Sequence, residues 1–567
     1  MSDVVLPAWA ALLRARYLAG EASLFLVHGN VRDLHPWVAD GKPVEWVDLR
    51  TFLERFLART RDIVAYYNVS QGLCFREKVH EKLFFSSVDA RRMLRGEPKL
   101  GALPQGPASA IPVIEDLIQE PTHSSAVIVD FFEMIAPNGD VAFLSAEDRA
   151  NLVSVQRWAS DPAFQQTDNL VVLVAEHLSD VSRRVVSSPQ LAAIQVPFPT
   201  IDDRRQFLAS QDTSDVKLEL DVEALAKVTA GLSRTQIRNI LRGAAQSGEA
   251  VNFRSVSLRK KSIIEQECHG LVEFVTPDHD FSHVGGMERV KADLLRVAKA
   301  VRDGRTSSVP MGMIFVGPMG TGKTFVAEAF AAESGLTCLQ FKNFREKWVG
   351  STEANLEKIL DLVEALGYVL LIIDEADRSL SAGESDGGTS SRVIARLKEF
   401  MSDTDHRGRV VILMMTNRPD KLDVDLKRPG RFDLKIPFFF PEEPEERERV
   451  LRAVLKRHRI AASELNFTGA VAGTAGYSAA EIEAVVLAAQ NRAHEQDRDV
   501  VGQEDLDGAV ADVIPSRDTR MLEYMELLAV FEASARRMLP DRYKDVGTDE
   551  VQQRLDALRG VLGRRAI

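Results

Sequence analysis

The sequence predicts an α/β protein built as two tandem modules, each a parallel sheet flanked by helices and completed by a small helical lid. Three observations predict this. Continuous apolar runs of strand length, residues 369–373 (VLLII) and 410–416 (VVILMMT), are what a parallel sheet covered on both faces requires. Helix-like stretches at 354–366 and 391–401 alternate with them, as in a doubly wound fold. One order of landmarks also occurs twice, about 240 residues apart. It runs from an apolar strand ending in aspartate (Asp130, Asp374) through a second apolar strand and a proline-rich exit (Val196 to Pro199, Pro437 to Pro441). It closes on a Gly-x-Ser helix start (Gly231 to Ser233, Gly476 to Ser478).

Composition bounds the rest. The 567 residues suggest roughly three to four domains. With 45% hydrophobic and 27% charged residues, the chain has apolar material for more than one core, which argues against disorder. Its 71 basic and 83 acidic residues give a net charge of −12, which disfavours a dedicated nucleic-acid binder. Cys74, Cys268 and Cys338 are too scattered for a disulfide framework or a cysteine zinc site. No apolar run has the length of a membrane helix, and the first residues lack a secretory pattern, so a cytoplasmic protein is expected.

Along the chain, residues 1–250 read as the first module and 251–275 as a linker, charged over 257–267. Residues 276–440 read as the large domain of the second module, 441–513 as its helical lid, and 514–567 as a C-terminal helical extension capping it.

The second module carries the chemistry. Gly317, Pro318, Met319, Gly320, Thr321, Gly322, Lys323 and Thr324 fit G-x-x-x-x-G-K-[ST], after an apolar strand and at the start of a helical run. Glycines let backbone N–H groups wrap a phosphate at a helix N-terminus. Lys323 would reach the β- and γ-phosphates, and Thr324 would bind Mg²⁺. Asp374 and Glu375 follow the strand 369–373, at the strand end that faces the ligand crevice. Asp374 would hold Mg²⁺ through water, and Glu375 would activate the attacking water as general base. Asn417 ends the next strand, where a neutral amide would orient that water or sense the γ-phosphate.

These motifs, in this order, resemble the core clade of AAA+ ATPases, which remodel proteins. The resemblance implies tandem AAA+ modules, ATP and Mg²⁺ as ligands, and a ring of six copies. Val284 and Gly285 stand in a segment resembling the one that flanks adenine in that clade. Arg428 and Arg431 stand in a string (RPGRFD) resembling its second region of homology, whose arginines enter the neighbouring subunit's active site. An arginine supplied in trans is worth roughly 10³–10⁵ in rate. Lys347, Trp348, Val349 and Gly350 resemble the first pore loop, whose aromatic offers a sequence-tolerant surface to an extended polypeptide. His458, Ala479 and Ala480 match lid positions near the nucleotide, although the clade usually has Gly-Ala where this chain has two alanines. The string from His494 to Arg498 lacks the second histidine of H-E-x-x-H, so no fused metalloprotease is expected.

Over the whole length, the segment Gly29 to Asp33, the joining stretch from Ile263 to Phe274, and Ile514 to Ser516 resemble a narrower group. It is the AAA family of hypothetical chloroplast reading frame forty-six, which pairs a divergent first module with an active second one. The first module here has no phosphate-loop lysine after Gly29. It has Phe131, not glutamate, after Asp130, and Ser188 to Leu191 where the arginine turn would be.

Three functions follow to be weighed. The first is a ring that threads and remodels a protein substrate. The alternative is an ATP-dependent assembly switch or scaffold recruiting a partner through the first module. A nucleic-acid motor has the acidic balance and the aromatic pore loop against it.

Overall fold

Two six-stranded sheets carry the chain in the computed structural model. It describes residues 6–38, 43–139, 142–268, 271–341, 352–379, 389–516 and 518–563. The chain divides into two units, Met1–Ser262 together with Glu353–Ala365, and Ile263–Thr352 together with Leu366–Ile567.

The first unit contains β1 (Leu24–Gly29), β2 (Leu34–Trp37), β3 (Glu45–Asp48), β4 (Ile63–Asn68), β5 (Gly72–Cys74), β6 (Ser125–Val129), β7 (Leu170–Val174) and β8 (Leu191–Val196). Its sheet runs β5-β4-β6-β7-β1-β8. All pairs are parallel except β4 with β5, and β2 and β3 form a separate ribbon. Alternate residues of each strand face opposite sides of the sheet. Leu24 and Leu26 join one core with Val127, Val171 and Leu173, while Phe25 and Val27 join another with Ile128 and Val172. Both faces are dry, which is why β6 and β7 are apolar without alternation.

The second unit contains β9 (Val272–Phe274), β10 (Gly312–Val316), β11 (Thr337–Phe341), β12 (Val369–Ile373), β13 (Val410–Thr416) and β14 (Phe432–Pro437). Its sheet runs β14-β10-β13-β12-β11-β9, with only β9 antiparallel. Met313, Phe315, Leu370, Ile372, Val411 and Leu413 pack against the helices Glu288–Arg302 and Lys323–Ser334. A buried side chain of this size contributes roughly 1.5–3 kcal/mol.

The five parallel strands of each unit, taken in chain order, have the same spatial order, 5-1-4-3-2. The lids repeat as well. Buried Arg204 donates from Nε to Ala226 O (2.8 Å) and from Nη1 to Pro199 O. Buried Arg447 donates in the same way to Val471 O (2.9 Å) and Pro441 O (3.4 Å). Ser233 and Ser478 each close a capping box at the start of a lid helix, Arg234–Ser247 and Ala479–His494. The architecture expected from the sequence, a duplicated α/β module with a helical lid, is the one observed.

The charged stretch expected as a linker is helical, Phe253–Glu267, and β9 follows it. No proline or glycine interrupts residues 253–267. Beyond the second lid, the helices Thr519–Glu532, Asp541–Lys544 and Thr548–Leu562 close a small core around Tyr524, Leu527 and Leu555. Among the described residues, no helix is long and apolar enough to cross a membrane.

Candidate functional site

At the carboxyl end of β10 the chain turns sharply through residues 317–322 and enters the helix Lys323–Ser334. Two glycines make the turn possible. A Cβ on Gly317 would lie 2.2 Å from Phe438 O, and one on Gly320 would lie 2.8 Å from Ser478 Oγ. Gly320 also has a left-handed backbone, φ 76°. Inside the turn, Thr321 is fully buried and its Oγ1 donates to Pro318 O at 2.9 Å. Met319 is exposed at the tip.

Lys323 folds back under this turn. Its Nζ donates to Gly317 O (2.9 Å), Pro318 O (2.8 Å) and Asn417 Oδ1 (2.7 Å), so all three ammonium hydrogens are used. Burial pushes the Lys323 ammonium down to about 8, against the opposing pull of Asp374 and Asp377. Thr324 Oγ1 donates to Asp374 Oδ2 at 3.2 Å, and the Glu375 N–H donates to Asp374 Oδ1 at 2.8 Å. Glu375 is exposed and has a left-handed backbone, φ 46°. The strands therefore bring Lys323, Thr324, Asp374, Glu375 and Asn417 to one edge of the sheet. A hydroxyl and a carboxylate held together are hard oxygen donors, which fits a Mg²⁺ ion.

The lid meets this edge through Ala480, whose N–H donates to Gly320 O at 3.1 Å. Gly285 lies against the lid helix Pro444–Arg457, so close that a Cβ would be 2.6 Å from Arg449 O, and Val284 beside it is buried. Gly285, Ala479, Phe438 and Val450 are among the residues lining a cavity of about 260 Å³. The Ala479 methyl is accommodated in that wall. His458 lies 2.7 Å from Glu483 through Nε2.

Arg428 and Arg431 are turned toward Asp425. Arg428 pairs with its carboxylate at 3.1 Å, and Arg431 Nη1 donates to its carbonyl at 2.8 Å. The Arg428 side chain is 69% exposed, free to reach outward. Lys347, Trp348, Val349 and Gly350 lie outside the described residues.

Sequence reasoning missed several members. Asp377 Oδ1 accepts from Thr416 Oγ1 at 2.7 Å, which ties the β12 exit to the end of β13. Its position three residues after Asp374 was a usable signal. Phe325 is stacked on His279 (ring centroids 3.8 Å apart) and carries the Arg457 guanidinium 4.3 Å from its ring centroid. Nothing local to the sequence pairs those three residues.

The first unit fills the equivalent place with its own side chains. A Cβ on Gly29 would meet Val196 O at 2.7 Å, the counterpart of Gly317 against Phe438. Beyond Gly29 the chain leads into β2, not into a helix. Arg32 Nη1 donates to both Asp130 oxygens (3.0 and 3.1 Å), Arg32 Nε donates to Glu176 (3.1 Å), and the guanidinium covers Phe131. Buried Asp33 accepts from the Thr235 N–H (2.9 Å) and Asn30 Nδ2 (3.0 Å) and pairs with Arg234 (3.4 Å). A carboxylate and a guanidinium thus occupy the mouth of this sheet.

Fold and site together define a P-loop α/β nucleotide-binding protein. Comparison with known families matches residues 3–197 to an AAA+ chaperone N-terminal Rossmann-like domain and 202–269 to an AAA+ chaperone second helical domain. Residues 313–440 match the ATPase family associated with various cellular activities. The proteasome-activating nucleotidase of Methanocella arvoryzae is 31% identical over 307 residues, 49% of this chain and 72% of that protein. The ATP-dependent zinc metalloprotease FtsH of Hahella chejuensis is 30% identical over 261 residues, 43% of this chain and 41% of that one. The AAA domain-containing protein ycf46 of Trieres chinensis is 29% identical over 305 residues, 52% of this chain and 60% of that one. The chain spans about half the length of the latter two relatives. The chain belongs to the AAA+ ATPases, and its likeness to ycf46 proteins agrees with the narrower resemblance of its sequence.

Proposed function

We propose that the second unit hydrolyses ATP in a ring of six copies and spends that energy on remodelling, unfolding or disassembling a protein drawn into the central pore. The observation that carries the reading is the convergence of Lys323, Asn417, Thr324 and Asp374 at one sheet edge. Lys323 exchanges the carbonyls of Gly317 and Pro318 for β- and γ-phosphate oxygens, while residues 319–322 offer their N–H groups. Thr324 and Asp374 would hold Mg²⁺, which would supply positive charge against the phosphate oxygens. Glu375, exposed beyond Asp374, takes the proton of the attacking water, and Asn417 orients that water. Val284, Gly285, His458, Ala479 and Ala480 surround the base. Arg428 and Arg431 of one copy complete the pocket of the next, stabilising the transferred phosphoryl group.

In this reading, residues 1–250 form a degenerate module, 251–275 a linker, 276–440 the ATPase domain, 441–513 its lid and 514–567 an extension. Trp348, with Lys347, Val349 and Gly350, grips the substrate. Cys74, Cys268 and Cys338 form no disulfide, which suits a cytoplasmic protein. The relatives include a proteasome-activating nucleotidase and a cell division cycle protein 48 homolog, which supports a protein substrate over nucleic acid. A second reading, an ATP-controlled scaffold recruiting partners through the first unit, is favoured by the internally satisfied Arg32 and Asp33.

A Trp348→Ala variant separates the two. Threading requires that it hydrolyse ATP yet fail to unfold a tagged fluorescent substrate captured by Glu375→Gln chains. Full unfolding by Trp348→Ala chains would overturn threading through this loop.

A further inference from the structure

Within the second unit, the C-terminal helices touch the turn bearing Arg428 and the end of β13. Glu532, at the end of the helix Thr519–Glu532, pairs with Lys427, the residue before Arg428. It also pairs with Lys435 of β14 at 3.1 Å. The acceptor is well protected: the Glu532 side chain is 10% exposed and that of Lys427 14%. Lys427 Nζ also donates to Pro419 O at 3.1 Å, two residues past Asn417.

A second tie runs beside the first. Arg418, next to Asn417, forms a bidentate pair with Asp420 (3.0 and 2.9 Å). Asp420 accepts from the hydroxyl of fully buried Tyr524 at 3.3 Å, and the Arg418 guanidinium lies 5.3 Å from that ring's centroid. Arg559, on the last helix, donates to the same hydroxyl at 3.3 Å. Backbone contacts fix the register, because Ser534 N–H donates to Lys435 O (3.1 Å) and Lys435 N–H to Ser534 Oγ (2.7 Å).

We propose that the C-terminal helices position the arginine turn against the end of β13, with Glu532 as a positioning residue that acts on Arg428 through Lys427. The proposal rests on the reading that Arg428 works in the neighbouring copy's pocket. Two ties from one rigid element reach both the strand end bearing Asn417 and the turn bearing Arg428. They fix the separation between the part of a copy that senses its own nucleotide and the part offered to its neighbour. Arg428 itself pairs with half-exposed Asp425, so its placement depends on the well-protected Lys427–Glu532 pair one residue earlier. A misplacement of about 1 Å at a reacting centre can cost about 10²-fold in rate.

The test uses full-length chains mixed in defined ratios. Glu532→Gln keeps shape and removes charge; turnover falls ten- to a hundredfold with KM for ATP unchanged. Mixing it with Lys323→Ala chains, which keep an intact arginine turn, restores turnover above the sum of the separate activities. The charge swap Lys427→Glu with Glu532→Lys recovers most of the activity that Glu532→Lys alone loses. An Arg428→Ala plus Lys323→Ala mixture is the control. If the control complements while the Glu532→Gln mixture stays inactive, the defect lies in the variant's own pocket and the positioning role is overturned. A raised KM with unchanged kcat overturns it too. If the control also fails to complement, arginine sharing is wrong and this role falls with it.

Discussion

Glu375 and Phe131 hold the same left-handed backbone conformation, φ 46° and 54°, each one residue beyond the aspartate that follows the third parallel strand of its sheet. Such a conformation costs a non-glycine residue roughly 1–2 kcal/mol. Both units retain the geometry, and only one retains a carboxylate there. We therefore expect Glu375→Gln to lower turnover by about 10²-fold or more while ATP stays bound, as general bases typically contribute. Phe131→Glu in a Lys323→Ala background should gain no hydrolysis, because Arg32 and Asp130 already satisfy each other. Phosphate release and retained nucleotide, measured together, check both outcomes.

Lys323 gives the site a pH signature. Burial lowers its ammonium from 10.5 to about 8. The unfolded chain therefore binds more protons than the folded chain between about pH 8 and 10.5. On that group's account, stability of the nucleotide-free protein rises with pH across this window and is lowest below pH 8. Nucleotide binding needs the charged form, so ATP affinity should hold level below pH 8 and fall by up to tenfold per unit above it. Calorimetric titration of the unaltered chain at several pH values checks this, and an affinity that stays level from pH 7 to 10 would contradict it.

Arg428→Ala and Arg431→Ala should each leave ATP affinity within about twofold and lower turnover by roughly 10³-fold. Both side chains contact Asp425 in their own chain and none of the residues that gather around Lys323. Direct binding measurements beside steady-state rates distinguish this from loss of the pocket.

Asp33 joins the sheet of the first unit to the helix Arg234–Ser247. Asp33→Ala removes a buried acceptor and leaves Arg234 with Asp203 (3.3 Å) and Leu34 O (3.2 Å), at a cost of about 1–3 kcal/mol. Amide exchange should quicken in residues 234–247, and protection in the helix Ala479–His494 should be unchanged.

Much of this was legible in the sequence because its signals are local. The phosphate loop, the strand-ending Asp374 and the apolar runs β12 and β13 are contiguous strings, and the structure places those two strands at the bounds read from them. The duplication was legible through recurring Asp130 and Asp374, and Ser233 and Ser478, which sheet order and capping boxes then matched. What escaped depends on distant residues. Arg32 acquires its partners, Asp130 and Glu176, only through the fold. Glu532 acquires meaning only beside Lys427, 105 residues earlier. Phe325, His279 and Arg457 form a stack that no periodicity encodes.

We expect nucleotide to bind at the second unit alone, because Arg32 and Asp33 fill the equivalent place in the first. Calorimetric titration of the full-length chain with a non-hydrolysable ATP analogue tests it most directly. One analogue should bind per chain, and Lys323→Ala should bind none. Two bound analogues per chain, or undiminished binding by Lys323→Ala, would contradict it.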